Sequence, residues 1–461
     1  MKKLFSPIQS SFRDPSGFLF YRDGSLYRQI NKIFKEHYDH LMVYGLYNRL
    51  IEERLLIPHI EVDIDNWPSG HMDVYKIIQP ELVPFISYPY EWCFSQLKSA
   101  ALTTLRIQKI ALESGMILKD ASAYNIQFKD GRPLLIDTLS FEKYKEGQPW
   151  IAYRQFCQHF FAPLALMSLT DVRISQLLKV HIDGIPLDLA SALLPKNSWL
   201  RFSLFCHIHF HARGQKHFAN KQTNVQRYKV SKMSLLGIIE NLEKTILKLN
   251  WNPKGTEWAD YYENTNYLPE AMDQKKSILN DYLERIKPII VWDIGANTGL
   301  FSRLASDKGL FTISFDVDPA AVEKNYLECV NKKETHILPL ILDLTNPSPA
   351  IGWANQERMS LLERGPADIL FALALIHHLA ISNNLPFYKI ASYFSKLCKY
   401  LVIEFVPKND SKVLKLLSTR EDVFKEYAQE AFEKSFKVFF NIEATNKLKD
   451  SERVLYLMKG L

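Results

Sequence analysis

Between Ile289 and Pro319 the chain runs strand, glycine turn, helix, strand and carboxylate in succession, an order that few folds accommodate. Ile289, Ile290 and Val291 make a short apolar strand. In the following Trp292-Asp293-Ile294-Gly295-Ala296-Asn297-Thr298-Gly299, the two glycines let the backbone turn and come close to a ligand, and Leu300 to Ala305 open a helix. The next strand ends in Phe315-Asp316-Val317-Asp318-Pro319, which places Asp316 where it can accept hydrogen bonds from two ribose hydroxyls. A succession of this kind builds a pocket for an adenosine-containing cofactor.

Glycine spacing separates the two cofactor classes that use this plan. A dinucleotide site favours G-x-G-x-x-G, which brings a helix N-terminus against a pyrophosphate. Here the spacing is D-x-G-x-N-x-G, with Asn297 where the middle glycine would stand. Later segments continue the pattern. Leu340-Ile341-Leu342-Asp343-Leu344 is a third strand, and Ala367-Asp368-Ile369-Leu370-Phe371-Ala372-Leu373-Ala374-Leu375 is the near-continuous apolar run of a central parallel strand buried on both faces. Ile376-His377-His378-Leu379 follows it, Tyr400 to Pro407 supplies a fifth strand, and Arg453 to Met458 a closing antiparallel one.

These segments resemble the class I S-adenosylmethionine-dependent methyltransferases, whose cofactor has no phosphate to cradle. The resemblance implies a Rossmann-like, seven-stranded α/β sheet in the C-terminal half. It also implies cofactor-binding roles for Asp293, Gly295, Asn297 and Gly299 in the loop, Asp316 at the ribose, and Asp343 with Leu344 at the adenine. His377 and His378, at the mouth of the pocket, are candidates for the general base that a hydroxyl or amine acceptor needs, or for residues that hold the loop. Glu404, ending the fifth strand, is a candidate to orient a substrate amine, or to pair with Lys408. The absence of an N/D-P-P-Y/F tetrapeptide after the fourth strand disfavours adenine and glutamine amino-methylation, and the absence of a Pro-Cys nucleophile disfavours pyrimidine C5 chemistry. Across its whole length the chain is similar to a bacterial group that includes relatives of a nodulation host-specificity protein, which implies a small-molecule or glycan-related acceptor.

A chain of 461 residues exceeds one typical core and predicts two or three domains. With 47% hydrophobic and 23% charged residues it reads as globular, and a net charge of +6 without a compact Lys/Arg stripe gives no nucleic-acid signal. The five cysteines are scattered and form no C-x-x-C pair, which fits a reduced, cytoplasmic protein. No apolar stretch reaches the roughly 18 to 20 residues that span a bilayer, so no membrane role is expected.

In the N-terminal half, Phe18 to Tyr21 and Leu26 to Ile30 flank an Asp23-Gly24 turn and predict a hairpin. A helix is expected from Asn31 to Leu56, a loop over residues 61 to 73, strands at Tyr75 to Ile78 and Leu82 to Ile86, and a long helix from Glu91 to Ser114. Leu118-Lys119-Asp120-Ala121-Ser122-Ala123-Tyr124-Asn125, then a hairpin and Ile136-Asp137, resemble the catalytic loop and metal-binding Asp of protein-kinase-like phosphotransferases. That resemblance implies an α+β kinase-like domain, with Asp120 as base, Asn125 and Asp137 as Mg²⁺ ligands, and ATP as a second cofactor. Leu118 stands in place of the loop histidine, no glycine-rich loop covers a nucleotide, and Lys76 is the one candidate for a phosphate-pairing lysine. Asp120 and Asn125 can equally shape a turn through side-chain bonds to nearby backbone.

Cys206-His207-Ile208-His209-Phe210-His211 lacks the two separated ligand pairs of a structural zinc site and reads as a half-buried polar stripe. The domain expectation is therefore a kinase-like or substrate-holding domain over 1–213, a basic linker over 214–233, and a methyltransferase domain over 234–461 that begins with a helical extension. Trp258 to Tyr267 is expected to lie over the cofactor pocket. Three functional readings stand: a methyltransferase with a kinase-like or substrate-holding N-terminal domain, a bifunctional enzyme that also phosphorylates a small molecule or sugar, and a methyltransferase with an inert kinase-like binding module.

Overall fold

A computed structural model describes residues 5–63, 73–212, 229–253, 269–418 and 421–461, and divides the chain into two compact units. The first comprises Met1–Asn252 together with Ile351–Arg358, and the second Pro253–Ala350 together with Met359–Leu461.

The first unit opens with strands β1 (Phe5–Pro7), β2 (Gly17–Arg22) and β3 (Ser25–Asn31), and the expected Asp23-Gly24 turn joins the last two. The helix expected over Asn31 to Leu56 is broken into α1 (Lys35–Val43) and α2 (Leu46–Glu52) at Gly45, whose φ of 78° lies in the left-handed region that glycine enters freely. Strands β4 (His59–Val62) and β5 (Val74–Pro80) complete an antiparallel sheet of order β1-β2-β3-β5-β4. Leu82 to Ile86 is not a strand, because Pro84 in its middle removes a ladder donor and Pro80 has already ended β5 two residues before it. Helix α3 (Phe94–Glu113) follows, then β6 (Met116–Leu118), the hairpin β7 (Ile126–Lys129) and β8 (Arg132–Leu135), and β9 (Phe141–Lys143) paired to β6. Residues 153–209 are largely helical.

Helix α4 (Lys232–Lys248) corrects the domain division expected from sequence. Its buried stripe Leu235, Ile239, Leu242 and Ile246 recurs at helical spacing and packs on α3, so it belongs to the first unit and is not an extension of the second. Lys98 of α3 caps it, its Nζ donating to the carbonyls of Leu247 (2.9 Å) and Leu249 (2.7 Å). Most of the expected linker, and all of Trp258 to Tyr267, lie outside the described residues.

The second unit is an α/β sheet. Helix α5 (Pro269–Ile286) leads into β10 (Ile290–Ile294), followed by α6 (Leu300–Ser306), β11 (Phe311–Asp316), α7 (Pro319–Lys332), β12 (Ile337–Ile341), β13 (Ala367–Ala372), α8 (Phe387–Leu397), β14 (Cys398–Phe405), β15 (Phe440–Lys447) and β16 (Val454–Gly460). The seven strands lie in the order β12-β11-β10-β13-β14-β16-β15. Neighbours from β12 to β14 are parallel, and β16 runs antiparallel between β14 and β15. Alternation along β10 sends Val291 into the core under α5 and α6 with Leu279, Phe301, Ile369 and Val402, while Trp292 meets Phe315 edge to face at 5.6 Å. Strand order reverses between β10 and β13, and ligands of open α/β sheets bind at the carboxyl ends of the strands beside such a switch point.

Candidate functional site

At that switch point lies a cavity of about 390 Å³, within the range of about 300–1,000 Å³ usual for ligand pockets. Asp293, Gly295, Asn297, Asp316, Asp343, Leu344 and His378 all line it, so the structure brings together seven residues that are distant in sequence. The turn after β10 is held from β11: the N–H groups of Gly295 and Ala296 both donate to the Phe315 carbonyl at 2.9 Å. Asn297 sits at φ 52°, a left-handed conformation that asparagine tolerates better than most residues, and its side chain accepts the Thr298 N–H at 2.8 Å.

Asp316 ends β11 and is fixed by backbone donors: Oδ2 accepts the Asn297 N–H at 2.7 Å and Oδ1 the Asp318 N–H at 2.9 Å. Burial pushes its carboxyl up to about 6, against the lowering effect of those N–H groups. Asp293 is buried more deeply. Its Oδ2 accepts the Ser302 hydroxyl at 2.6 Å, and burial pushes it up to about 7. Asp343 accepts the N–H (2.8 Å) and hydroxyl (2.6 Å) of Thr345, which aims the segment after β12 at the cavity edge.

Gly299 does not line the cavity. At φ 82° it caps α6, and a Cβ there would lie 2.6 Å from the Asn325 amide and 2.8 Å from an Arg303 nitrogen, so only glycine fits.

The two histidines part company. His378 lines the cavity, and burial lowers its pKa to about 4, which keeps the imidazole neutral near pH 7. His377 is only 2% exposed, does not line the cavity and has a buried Nδ1 without a hydrogen-bond partner. Burial holds it well below the usual range for histidine.

Glu404 is likewise corrected. It is fully buried, does not line the cavity and does not pair with Lys408, which bonds Asp422 instead. Its Oε2 accepts from Lys275 Nζ at 2.6 Å and from the Ala374 N–H at 2.9 Å, and Oε1 lies 3.6 Å from Arg453. Glu404 thus meets the cavity wall through Ala374 and through Lys275, a lining residue of α5 that no motif marks. The trace left in the sequence is a lysine inside the apolar stripe Ala271, Lys275, Leu279, Leu283.

In the first unit, Asp120, Asn125 and Asp137 do come together. Asp120 Oδ1 accepts the Ser122 N–H (2.9 Å) and the Gln155 amide (2.8 Å), and burial followed by the Asp137 charge raises its carboxyl pKa. Asn125 Nδ2 reaches Ser140 Oγ at 3.4 Å, and that hydroxyl donates to Asp137 Oδ2 at 2.6 Å. Asp137 Oδ1 takes the Leu139 N–H and an ion pair from Arg28 of β3. Burial alone would raise Asp137, but Arg28, Ser140 and Leu139 together hold it below the ordinary carboxylate range. The expected pair of metal ligands is therefore already occupied by a guanidinium and a hydroxyl. Lys76, the expected phosphate-pairing lysine, is paired on the sheet surface with Glu61. Arg28 was not foreseen.

The histidine stripe is structural. His207 bonds Asn241 at 2.9 Å, and His209 lies between Ser191 and Ser198 at 2.7 and 2.8 Å, stacked on Trp199. Among the described residues no group of three His, Cys, Asp or Glu could hold a metal ion, and no helix is long and apolar enough to cross a membrane.

A parallel sheet with one antiparallel strand inserted beside its edge, a glycine turn after the first strand and a carboxylate ending the second are the plan of the class I S-adenosylmethionine-dependent methyltransferases, and the second unit is built on it. No protein-family model matches the chain. The chain belongs to the family of the nodulation protein NoeA of Rhizobium meliloti (strain 1021), to which it is 32% identical over 460 residues, 97% of this chain and 95% of that protein.

Among solved structures, magnesium protoporphyrin IX methyltransferase (ChlM) of Synechocystis PCC 6803 with bound SAH is similar with a TM-score of 0.29 and 15% identity, over 41% of this chain and 84% of that one. The N-methyltransferase NodS of Bradyrhizobium japonicum WM9 is similar with a TM-score of 0.29 and 12% identity, over 42% and 97%. The bifunctional kinase-methyltransferase WbdD is similar with a TM-score of 0.28 and 14% identity, over 41% and 39%.

Proposed function

We propose that the second unit binds S-adenosylmethionine and transfers its methyl group to a small-molecule or glycan-related acceptor. The observation that carries this is Asp316, whose two oxygens are each fixed by a backbone N–H at the edge of a cavity floored by Gly295 and Asn297. Such a carboxylate is pre-organised to accept a pair of vicinal hydroxyls, and Leu342 and Leu344 beside Asp343 offer apolar contact to a flat base. The close glycine floor suits a thioether chain better than a pyrophosphate, because the D-x-G-x-N-x-G turn lacks the middle glycine. When bound, the donor supplies an electrophilic methyl on a sulfonium. His378, neutral and facing the cavity, is the residue placed to take a proton from an acceptor hydroxyl or amine. The acceptor class rests on membership in the family of a nodulation protein.

Calorimetric titration of S-adenosylmethionine and S-adenosylhomocysteine into the intact protein tests this reading. Micromolar binding that Asp316→Ala loses supports it, and no binding to the folded protein refutes it.

For the first unit, saturation of Asp137 by Arg28, Ser140 and Leu139 favours an inert binding module over a phosphotransferase. An in-line phosphoryl transfer needs that carboxylate for Mg²⁺, whereas here a guanidinium already supplies the positive charge. Titration of ATP with Mg²⁺ into the intact protein is expected to give no heat of binding, and micromolar binding abolished by Asp137→Ala would restore the phosphotransferase reading.

A further inference from the structure

We infer that Arg453 is a positioning residue for methyl transfer: its guanidinium holds the turn that carries His378 in fixed relation to a helix that closes the same end of the cavity. This deepens the methyl-transfer reading above and rests on it.

Two segments wall the cavity at the end that His378 lines. One is the turn after β13, whose Leu375, His378, Leu379 and Ser382 all line it. The other is helix α9 (Ser411–Leu417), which supplies Leu416 and packs against that turn. Neither segment is stable on its own terms. A helix of seven residues is far below the length that holds itself together in water, and this one buries Val413 while exposing Ser411, Leu414 and Lys415. Ala374, which opens the turn, sits at φ 49°, a left-handed conformation that alanine keeps only where its surroundings hold it.

The same side chain reaches the anchors of both. Arg453 precedes β16, and its side chain is 2% exposed. Its Nε and Nη2 donate to Asp410 at 2.8 and 3.1 Å, and Asp410 caps α9 by accepting the Lys412 N–H at 2.8 Å. Its third nitrogen, Nη1, lies 3.6 Å from Glu404 Oε1, and Glu404 Oε2 accepts the Ala374 N–H. One planar guanidinium therefore spans the cap of α9 and the carboxylate that holds Ala374.

Charge balance alone does not account for this arrangement. Glu404 already has a cation of its own in Lys275, and a buried ion network is costly to desolvate, so packing by itself is served as well by apolar residues. What Arg453 adds is direction. A lysine in its place supplies the positive charge but cannot grip Asp410 with two nitrogens while presenting a third to Glu404.

The test is Arg453→Lys in the intact protein, read without ligand in two ways. Hydrogen exchange followed by mass spectrometry compares peptides covering residues 373–382 and 411–418 with those covering β10 and β11. Carbethoxylation by diethyl pyrocarbonate, which attacks accessible neutral imidazoles, reports on His378. In the variant, exchange in both wall segments is expected to quicken by about 5- to 30-fold, the scale of one lost cap or charge-assisted contact, and His378 to react faster by a similar factor. Exchange in β10 and β11 should stay at the wild-type rate. A folded variant with both walls unchanged overturns the assignment, and so does equal acceleration in β10 and β11, which would give Arg453 a role in the fold as a whole. Should the lysine variant fail to fold, Asp410→Asn keeps a capping side chain and removes the charge that the fork grips; the same local signature is expected, and its absence overturns the assignment. Calorimetry of S-adenosylhomocysteine on the wild type keeps the two readings apart. Binding with unchanged walls in the variant overturns the role of Arg453 alone, and no binding removes the donor site and with it any role in methyl transfer.

Discussion

Replacing Asp316 by alanine separates a ligand site from a scaffold. Each carboxylate oxygen already accepts one backbone N–H, from Asn297 at 2.7 Å and Asp318 at 2.9 Å, and can accept one ribose hydroxyl besides. Hydrogen bonds to a charged group are worth about 1.5–3 kcal/mol each, so losing two removes about 3–6 kcal/mol, or about two to four orders of magnitude in donor affinity. Calorimetry with S-adenosylhomocysteine at pH 7.5 measures the loss, and circular dichroism checks that the variant is folded, since Asn297 and Asp318 lose their anchor as well. Titration adds an independent arm. Because burial raises this carboxyl to about 6, the accepting form is lost as pH falls through that value, and wild-type affinity should drop by up to about tenfold per unit below it. A folded Asp316→Ala that binds within about threefold of the wild type, or a wild-type affinity flat from pH 7.5 to 5, refutes the assignment of the ribose site.

Gly299→Ala forces a left-handed backbone costing about 1–2 kcal/mol and displaces Asn325 from Ser314, so calorimetric melting of the second unit should fall by roughly 5–15 °C; an unchanged transition would show that the turn relaxes freely. Asp293 carries a folded-state pKa raised to about 7 against about 3.9 unfolded, so its contribution to stability is full below about pH 4 and lost as pH rises through 7. The ligand-free protein is therefore expected to melt lower at pH 8 than at pH 5.5, with a smaller difference in Asp293→Asn, and equal slopes in both proteins would exclude Asp293 as the source. Arg28→Ala should destabilise the first unit by about 3–5 kcal/mol in urea unfolding, because it leaves Asp137 buried with an uncompensated charge; a midpoint unchanged from the wild type would mean the pair is not formed.

Most of the second unit was legible in the sequence because its elements are local and strongly patterned. The glycine turn, the apolar run at Ala367–Ala372 and the acid at Asp316 each fix a strand end, and strand ends carry the cavity. Lys275 was not legible, since a lysine in an apolar stripe has no meaning until β14 places Glu404 against it. His377 and His378 are neighbours in sequence, and only the turn after β13 decides which of them faces the cavity. In the first unit, the spacing of Asp120, Asn125 and Asp137 gave their proximity correctly. The partner that occupies Asp137 comes from β3, 109 positions earlier, which spacing within the loop cannot reveal. Composition misplaced the boundary near residue 213, because a basic stretch looks like a linker whether or not the following helix packs backwards onto α3.

The first unit is completed by eight residues that the chain delivers only after it has begun the second. Within it, the Glu357 side chain is 3% exposed and accepts from Arg13 Nη2 at 2.6 Å and Nε at 2.8 Å, and the Arg358 guanidinium lies 4.2 Å from the centre of the Tyr124 ring. No single cut in the sequence therefore yields both units whole. A fragment ending at residue 252 lacks Glu357 and Arg358, and a fragment starting there carries them away from the surface they bury against. Dissecting this protein gene by gene fragment would measure the damage done at Arg13 and Tyr124 before it measured the activity of either half.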